Sequence, residues 1–108
     1  MSGPTDVLAE MQADIDALEQ RVLAGEFMLS RGYDKVNRLR SIHAAVAELI
    51  AADDEYDAAV TAHKELIRRV AEQGWYEIEF DTLRNAGVRT IRAQARRAAA
   101  RERLGGAA

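Results

Sequence analysis

Seven arginines, Arg84, Arg89, Arg92, Arg96, Arg97, Arg101 and Arg103, crowd the last quarter of this 108-residue chain, where Glu102 is the single acid. A guanidinium is a planar, permanently charged fork of donors suited to phosphate and carboxylate. On a helical wheel, Arg89, Arg92, Arg96 and Arg103 fall within about 60° of one another, with Ile91, Ala95 and Ala98 forming a narrow apolar stripe on the far side. Such a row suits one of two tasks. It neutralises phosphates in salt-dependent, mostly sequence-independent binding, or it pairs with acids such as those of "AADDEYD" in a neighbouring copy. The net charge of −3 conceals this division: residues 1–83 carry −9 and residues 84–108 carry +6.

Other candidate groups offer less chemistry. The acids at 53–57 lack the spaced oxygen ligands, central glycine and distal Glu of a calcium loop, so helix capping or solvation accounts for them. His43 and His63 have no Glu three residues upstream, which removes the carboxylate-histidine pattern of di-iron bundles. There is no phosphate-cradling loop, dinucleotide fingerprint or nominated Ser/His/Asp set. The expectation is a chain without catalysis, cofactor, metal or small-molecule substrate. With no cysteine, neither disulfides nor thiolate chemistry arise, which suits a reducing compartment. The start, "MSGPTDVLAEM", lacks the basic-then-apolar signature of an export leader. No stretch approaches the roughly 20 apolar residues of a membrane span. A cytoplasmic protein, or a virion-associated one if encoded by a phage, is expected.

The elements that must position these groups read as helices. Leu8, Met11, Ile15, Leu18 and Val22 recur at alternating steps of three and four, a coiled-coil-like seam available to the core or to an oligomer. This predicts a helix over 5–31, with a weak point at Gly25 and a left-handed cap at Gly32. From 33 to 73 there is neither glycine nor proline, and Val36, Leu39, Ile42, Val46, Leu49 and Ile50 continue a helical stripe. Within "AADDEYD", Asp53 or Asp54 could cap a second helix, or the acids could ride on one unbroken helix; both readings stand. Uninterrupted, residues 35–73 would run roughly 58 Å, long enough to fold back on the first helix and still protrude. Gly74 ends the block. "WYEIEF" is then read as a connector over 74–81 that buries Trp75 and Phe80 against the hairpin.

In "LRNAGVRTI", Gly87 suits the left-handed position after a helix, Leu83 and Val88 are spaced for a Schellman contact, and Thr90 can cap a helix running to about Leu104 before Gly105 and Gly106. The sequence thus predicts a helical corner with a basic arm over 82–104. Across residues 80–92, "FDTLRNAGVR" resembles the turn of repressor-type helix-turn-helix domains, and "LRNAGVRTI" is similar to the hairpin of helix-hairpin-helix modules. Either resemblance implies contact with DNA, through a recognition helix or through turn amides on a phosphate. Helix capping alone explains the same residues. Arg38 and His43 in "RLRSIH" resemble the Arg-x4-His motif of helical HEPN ribonucleases, which implies a small helical ribonuclease as a further alternative.

The predicted architecture is a single all-α domain over 1–108: an antiparallel helical hairpin (5–73), a connector, and a helical corner ending in an Arg-rich C-terminal helix. Alanine supplies much of the 48% apolar content and buries little area, so the core is thin. The expected function is a non-enzymatic interaction or assembly protein, a homo-oligomer or a subunit of a larger complex, docking through the basic helix. Its composition suits a phage or mobile-element component. The alternative is a DNA-binding regulator with the hairpin as dimeriser and residues 80–104 as reader.

Overall fold

A computed structural model describes residues 3–26, 28–74 and 80–107. These form three α-helices: α1 (Pro4–Leu23), α2 (Leu29–Gln73) and α3 (Phe80–Ala107). No strand occurs among the described residues, so the all-α class expected from the periodicity is the one that forms. Most of the "WYEIEF" connector, including Trp75, lies outside the described residues. Its last residue, Phe80, opens α3 and is 68% exposed rather than buried.

α1 begins with Pro4 in its first turn, where a missing N–H costs nothing. The Asp6 carboxylate reaches back to accept the Gly3 N–H at 3.1 Å. The helix stops at Leu23, eight residues earlier than the sequence suggested, because Gly25 takes the left-handed conformation (φ 83°). Gly25 N–H donates to the Val22 carbonyl at 3.1 Å and Glu26 N–H to the Arg21 carbonyl at 3.2 Å, the paired bonds of a Schellman motif. The hydrophobic contact usual across that motif is replaced by an Arg21–Glu26 ion pair of 2.7 Å. Gly32, the expected terminator, lies inside α2 and is buried.

α2 is one helix of 45 residues, about 67 Å long. The acids of "AADDEYD" do not cap a second helix; they ride on an unbroken one. α2 ends at Gly74 (φ 81°), whose N–H donates to the Val70 carbonyl at 2.9 Å.

The chain divides into two compact units. In the first, α1 and α2 as far as Ile50 form a hairpin, together with the end of α3 from Glu102. Its core is Ile15, Val22 and Val36, with Leu18 and Leu39 packed against them. Burying each of these three larger side chains is worth about 1.5–3 kcal/mol. Leu8 and Met11 are half-buried, so the predicted seam lies against the chain's own helix. The helices approach closely at Gly32, where an added Cβ would sit 2.6 Å from Val22 Cγ2. Gly32 thus serves close packing, not termination. An Arg40–Glu19 ion pair and a His43 Nε2 contact to the Leu8 carbonyl at 3.1 Å join the helices further along.

In the second unit, α2 from Ala51 pairs with α3 as far as Arg101. Among the described residues its buried apolar side chains are all alanine: Ala52 and Ala59 on α2, Ala93 and Ala100 on α3. Each pair is spaced by seven residues, the repeat that keeps one face of a helix toward its partner. Methyl groups in place of larger side chains let the backbones approach. The Thr90 hydroxyl reaches the Ala59 carbonyl across the interface at 3.3 Å, and the His63 ring lies 3.7 Å from where a Cβ on Gly87 would be.

This pairing overturns the predicted corner. α3 passes through Gly87 without a break, and among the described residues only Gly25 and Gly74 have positive φ. No Schellman contact joins Leu83 to Val88, and the helix also continues through Gly105 and Gly106 to Ala107. The heptad repeat Ala86, Ala93, Ala100 explains why. A turn at Gly87 would take Ala86 out of phase with the later alanines, whereas a helical glycine costs only about 1 kcal/mol. The inward face is therefore Ala86, Thr90, Ala93, Arg97 and Ala100. The stripe of Ile91, Ala95 and Ala98 expected to dock the helix is exposed.

Gly32→Ala is expected to lower unfolding free energy by about 1–3 kcal/mol in chemical denaturation, despite alanine's better helix propensity. In a Val22→Ala background the added cost should shrink markedly, because the clashing atoms are gone. A Gly32→Ala variant more stable than the parent would contradict the close contact.

Candidate interaction surface

The basic helix is not an undocked arm. α3 positions its arginines around the alanine seam, and the structure separates them into two groups. Arg89 forms a forked contact with Glu55, Nε to Oε1 at 2.9 Å and Nη2 to Oε2 at 3.3 Å. Arg97 occupies a seam position, where its guanidinium stacks on the Tyr56 ring at 3.7 Å from the centroid. Asp53 Oδ1 sits 4.0 Å from Arg97 Nε and 3.9 Å from Arg101 Nη2. That oxygen is buried without a hydrogen bond, so its two contacts are Coulombic. The acid-rich segment and part of the arginine row, which one of the two sequence readings joined between copies, meet within one chain. Helical phase makes this so: Asp53 and Glu55 flank Ala52 on α2, and Arg89, Arg97 and Arg101 flank Ala93 and Ala100 on α3. Two flanking pairs are thereby brought together by the seam.

The remaining arginines are placed differently from one another. Arg84 pairs along its own helix with Asp81 at 3.4 Å. Arg92 and Arg103 are exposed and form no ion pair among the described residues. Arg96 is exposed and adds to the positive field at Glu55. Arg89, Arg92 and Arg96 together line an open cleft of about 280 Å³ with Glu55, Asn85, Val88 and Ala93.

Beside the cleft lies a feature that the arginine pattern alone concealed. Val88 (38% exposed) and Ile91 (68% exposed) share an outward face with Ala95, while Phe80 (68% exposed) opens the same helix. The signal was legible: Phe80, Arg84, Val88, Ile91 and Ala95 recur at steps of three and four, but the predicted break at Gly87 divided them. Once α3 is continuous, they form one strip.

The two histidines have packing roles. His43 is half-buried with Nε2 at the Leu8 carbonyl, and His63 is half-buried against Gly87. Arg38 is exposed, five residues from His43 on the same helix. Among the described residues no three His, Asp or Glu side chains gather as metal ligands, and no helix is long and apolar enough to cross a membrane.

The Arg89 hydrogen bond, reinforced by the charges of Arg89 and Arg96, holds the Glu55 carboxyl below its ordinary value of 4.5 despite some opposing desolvation. Glu55 in turn raises the Arg89 pKa. A carboxylate with a lowered folded-state pKa stabilises the fold above its unfolded value, and that contribution is lost as pH falls through the folded value. Glu55→Gln is therefore expected to be less stable than the parent at neutral pH and low salt, measured by urea denaturation. The difference should vanish at acid pH and shrink in high salt, because the pair is exposed. An equal difference at pH 7 and pH 3 would refute the pairing as its cause.

Searches against protein-family models, curated proteins and solved structures find no match to this chain.

Proposed function

We propose that this chain is a non-enzymatic helical assembly module that docks onto a partner protein through the outer face of α3. The observation that carries the reading is what remains after α3 has packed on α2. Val88 and Ile91 stay outward, beside Arg92, which forms no ion pair among the described residues. Apolar residues ringed by arginine are the composition favoured at protein interfaces, where Arg contributes directional bonds at the edge of a desolvated patch. The coiled-coil character of the α2–α3 seam supports a rigid platform for such a face, since an alanine seam leaves little room for the helices to repack.

A place in a larger assembly, such as a phage or mobile-element particle, agrees with this platform and with the cysteine-free composition. A cytoplasmic or virion-associated setting belongs to the same proposal. Nucleic-acid contact is a second reading, favoured by the exposed Arg92 and Arg103 on one helix. It now concerns phosphate contact along a straight helix, because the corner needed for a recognition motif does not form.

Photo-crosslinking in the native host tests the choice. A photoreactive side chain at position 91 or 88 should yield a discrete protein adduct, with none from position 64 on the exposed surface of α2. Replacing Ile91 by Ser should lose the adduct formed through position 88 while leaving helicity by circular dichroism unchanged. Adducts with nucleic acid alone, together with salt-sensitive duplex binding that disappears in Arg92→Ala, would establish the second reading in its place.

A further inference from the structure

We infer that the partner of the α3 outer face is the acidic outer face of α1 on a second copy of the chain, so that copies join head to tail. This rests on the assembly reading above and gives it an occupant. The charge balance of the two helices points there. α1 carries five acids against Arg21 alone, and α3 carries seven arginines against Asp81 and Glu102. Two acids of α2 that face α3 are engaged within the chain: Glu55 is forked by Arg89, and Asp53 lies between Arg97 and Arg101. Arg92 is exposed and forms no ion pair among the described residues, so it is open to a carboxylate of another surface.

α1 offers one of matching dimensions. Asp6, Glu10 and Asp14 recur every four residues and are exposed, spanning about 12 Å of helix. Arg92 and Arg96, four residues and about 6 Å apart on α3, match one step of that row, while Arg89 stays with Glu55. Asp6 uses one oxygen to accept the Gly3 N–H, and its other oxygen remains for a partner. Small residues lie beside both rows. Ala13 and Ala17 are exposed next to the acids, with Val7 42% exposed on the same face; Ala95 and Ala99 are exposed next to the arginines, with Val88. Two such faces can approach as closely as the alanine seam inside the second unit. Screening and desolvation limit what exposed pairs contribute alone, so the apolar strip supplies attraction and the charge rows set register and direction. Because the two faces differ, the contact is heterologous and leaves one free copy of each face at the ends, which propagates assembly unless a ring closes.

The test is sedimentation velocity on the full chain from about 10 μM to about 1 mM, at low and high salt, spanning weak association constants. The expected result is concentration-dependent association that weakens with salt. Arg92→Glu with Arg96→Glu should weaken it by about tenfold or more, as should Glu10→Arg with Asp14→Arg, and an equimolar mixture of the two variants should restore it. Circular dichroism confirms folding, and Arg92→Gln serves as a milder variant if reversal disturbs the helix. Association abolished by the α3 reversal but indifferent to the α1 reversal overturns the inference and leaves the assembly reading intact. A monomer throughout the range at low salt does the same, moving the docking face to a different protein. Association indifferent to both reversals overturns the inference and the docking role of α3 together.

Discussion

Close approach of α2 and α3 along a seam of alanines is the constraint on which the rest of this structure depends. Ala52 and Ala59 on α2 and Ala93 and Ala100 on α3 are buried at seven-residue spacing, and among the described residues nothing larger is buried in that unit. Methyl groups contribute only roughly 0.8 kcal/mol each, so this seam is weak by burial alone. Its consequence is geometric: with the backbones near, flanking side chains meet. Thr90 reaches a carbonyl on the facing helix, Arg89 reaches Glu55, and Arg97 lies flat on Tyr56. The polar rim and the thin core are therefore one device, in which small residues bring charged neighbours together.

The same constraint decides which residues are left outward. A helix that turns its alanines inward must turn Val88 and Ile91 out, because those positions lie about 100° or more around the wheel from the seam. The exposed strip follows directly from which face α3 uses for packing. It also accounts for the split among the arginines, with Arg89, Arg97 and Arg101 against acids of α2 and Arg92 exposed at the edge of the cleft. In the first unit, Gly32 plays the part that alanine plays in the second, opening space for Val22 at a close approach of the helices.

Much of this was legible in the sequence. The α1 seam from Leu8 to Val22, the helical character of 33–73 and the stop at Gly74 all follow from apolar spacing and glycine placement. Three points were not. Gly25 and Gly32 exchanged roles, because a glycine's sequence context does not reveal whether a left-handed backbone or a missing Cβ is required there. Gly87 sat in a good local capping sequence, yet the Ala86, Ala93, Ala100 repeat outweighed it, a tertiary preference invisible to local capping rules. The Arg row and the acids at 53–57 were rightly read as complementary, but a charge pattern carries no information on whether its partner lies in the same chain or another.

The most direct measurement of the central claim, that α3 is one continuous helix docked along α2, is residue-resolved amide hydrogen exchange on dilute, monomeric protein. Slow exchange is expected to run without interruption through Asn85, Gly87, Val88 and Arg89 and on to Ala100, at a level similar to that of α2 around Ala59. Rapid exchange at Gly87 to Arg89, or across the whole of Arg84 to Arg103 while α2 stays protected, would contradict it and return α3 to a hinged or undocked arm.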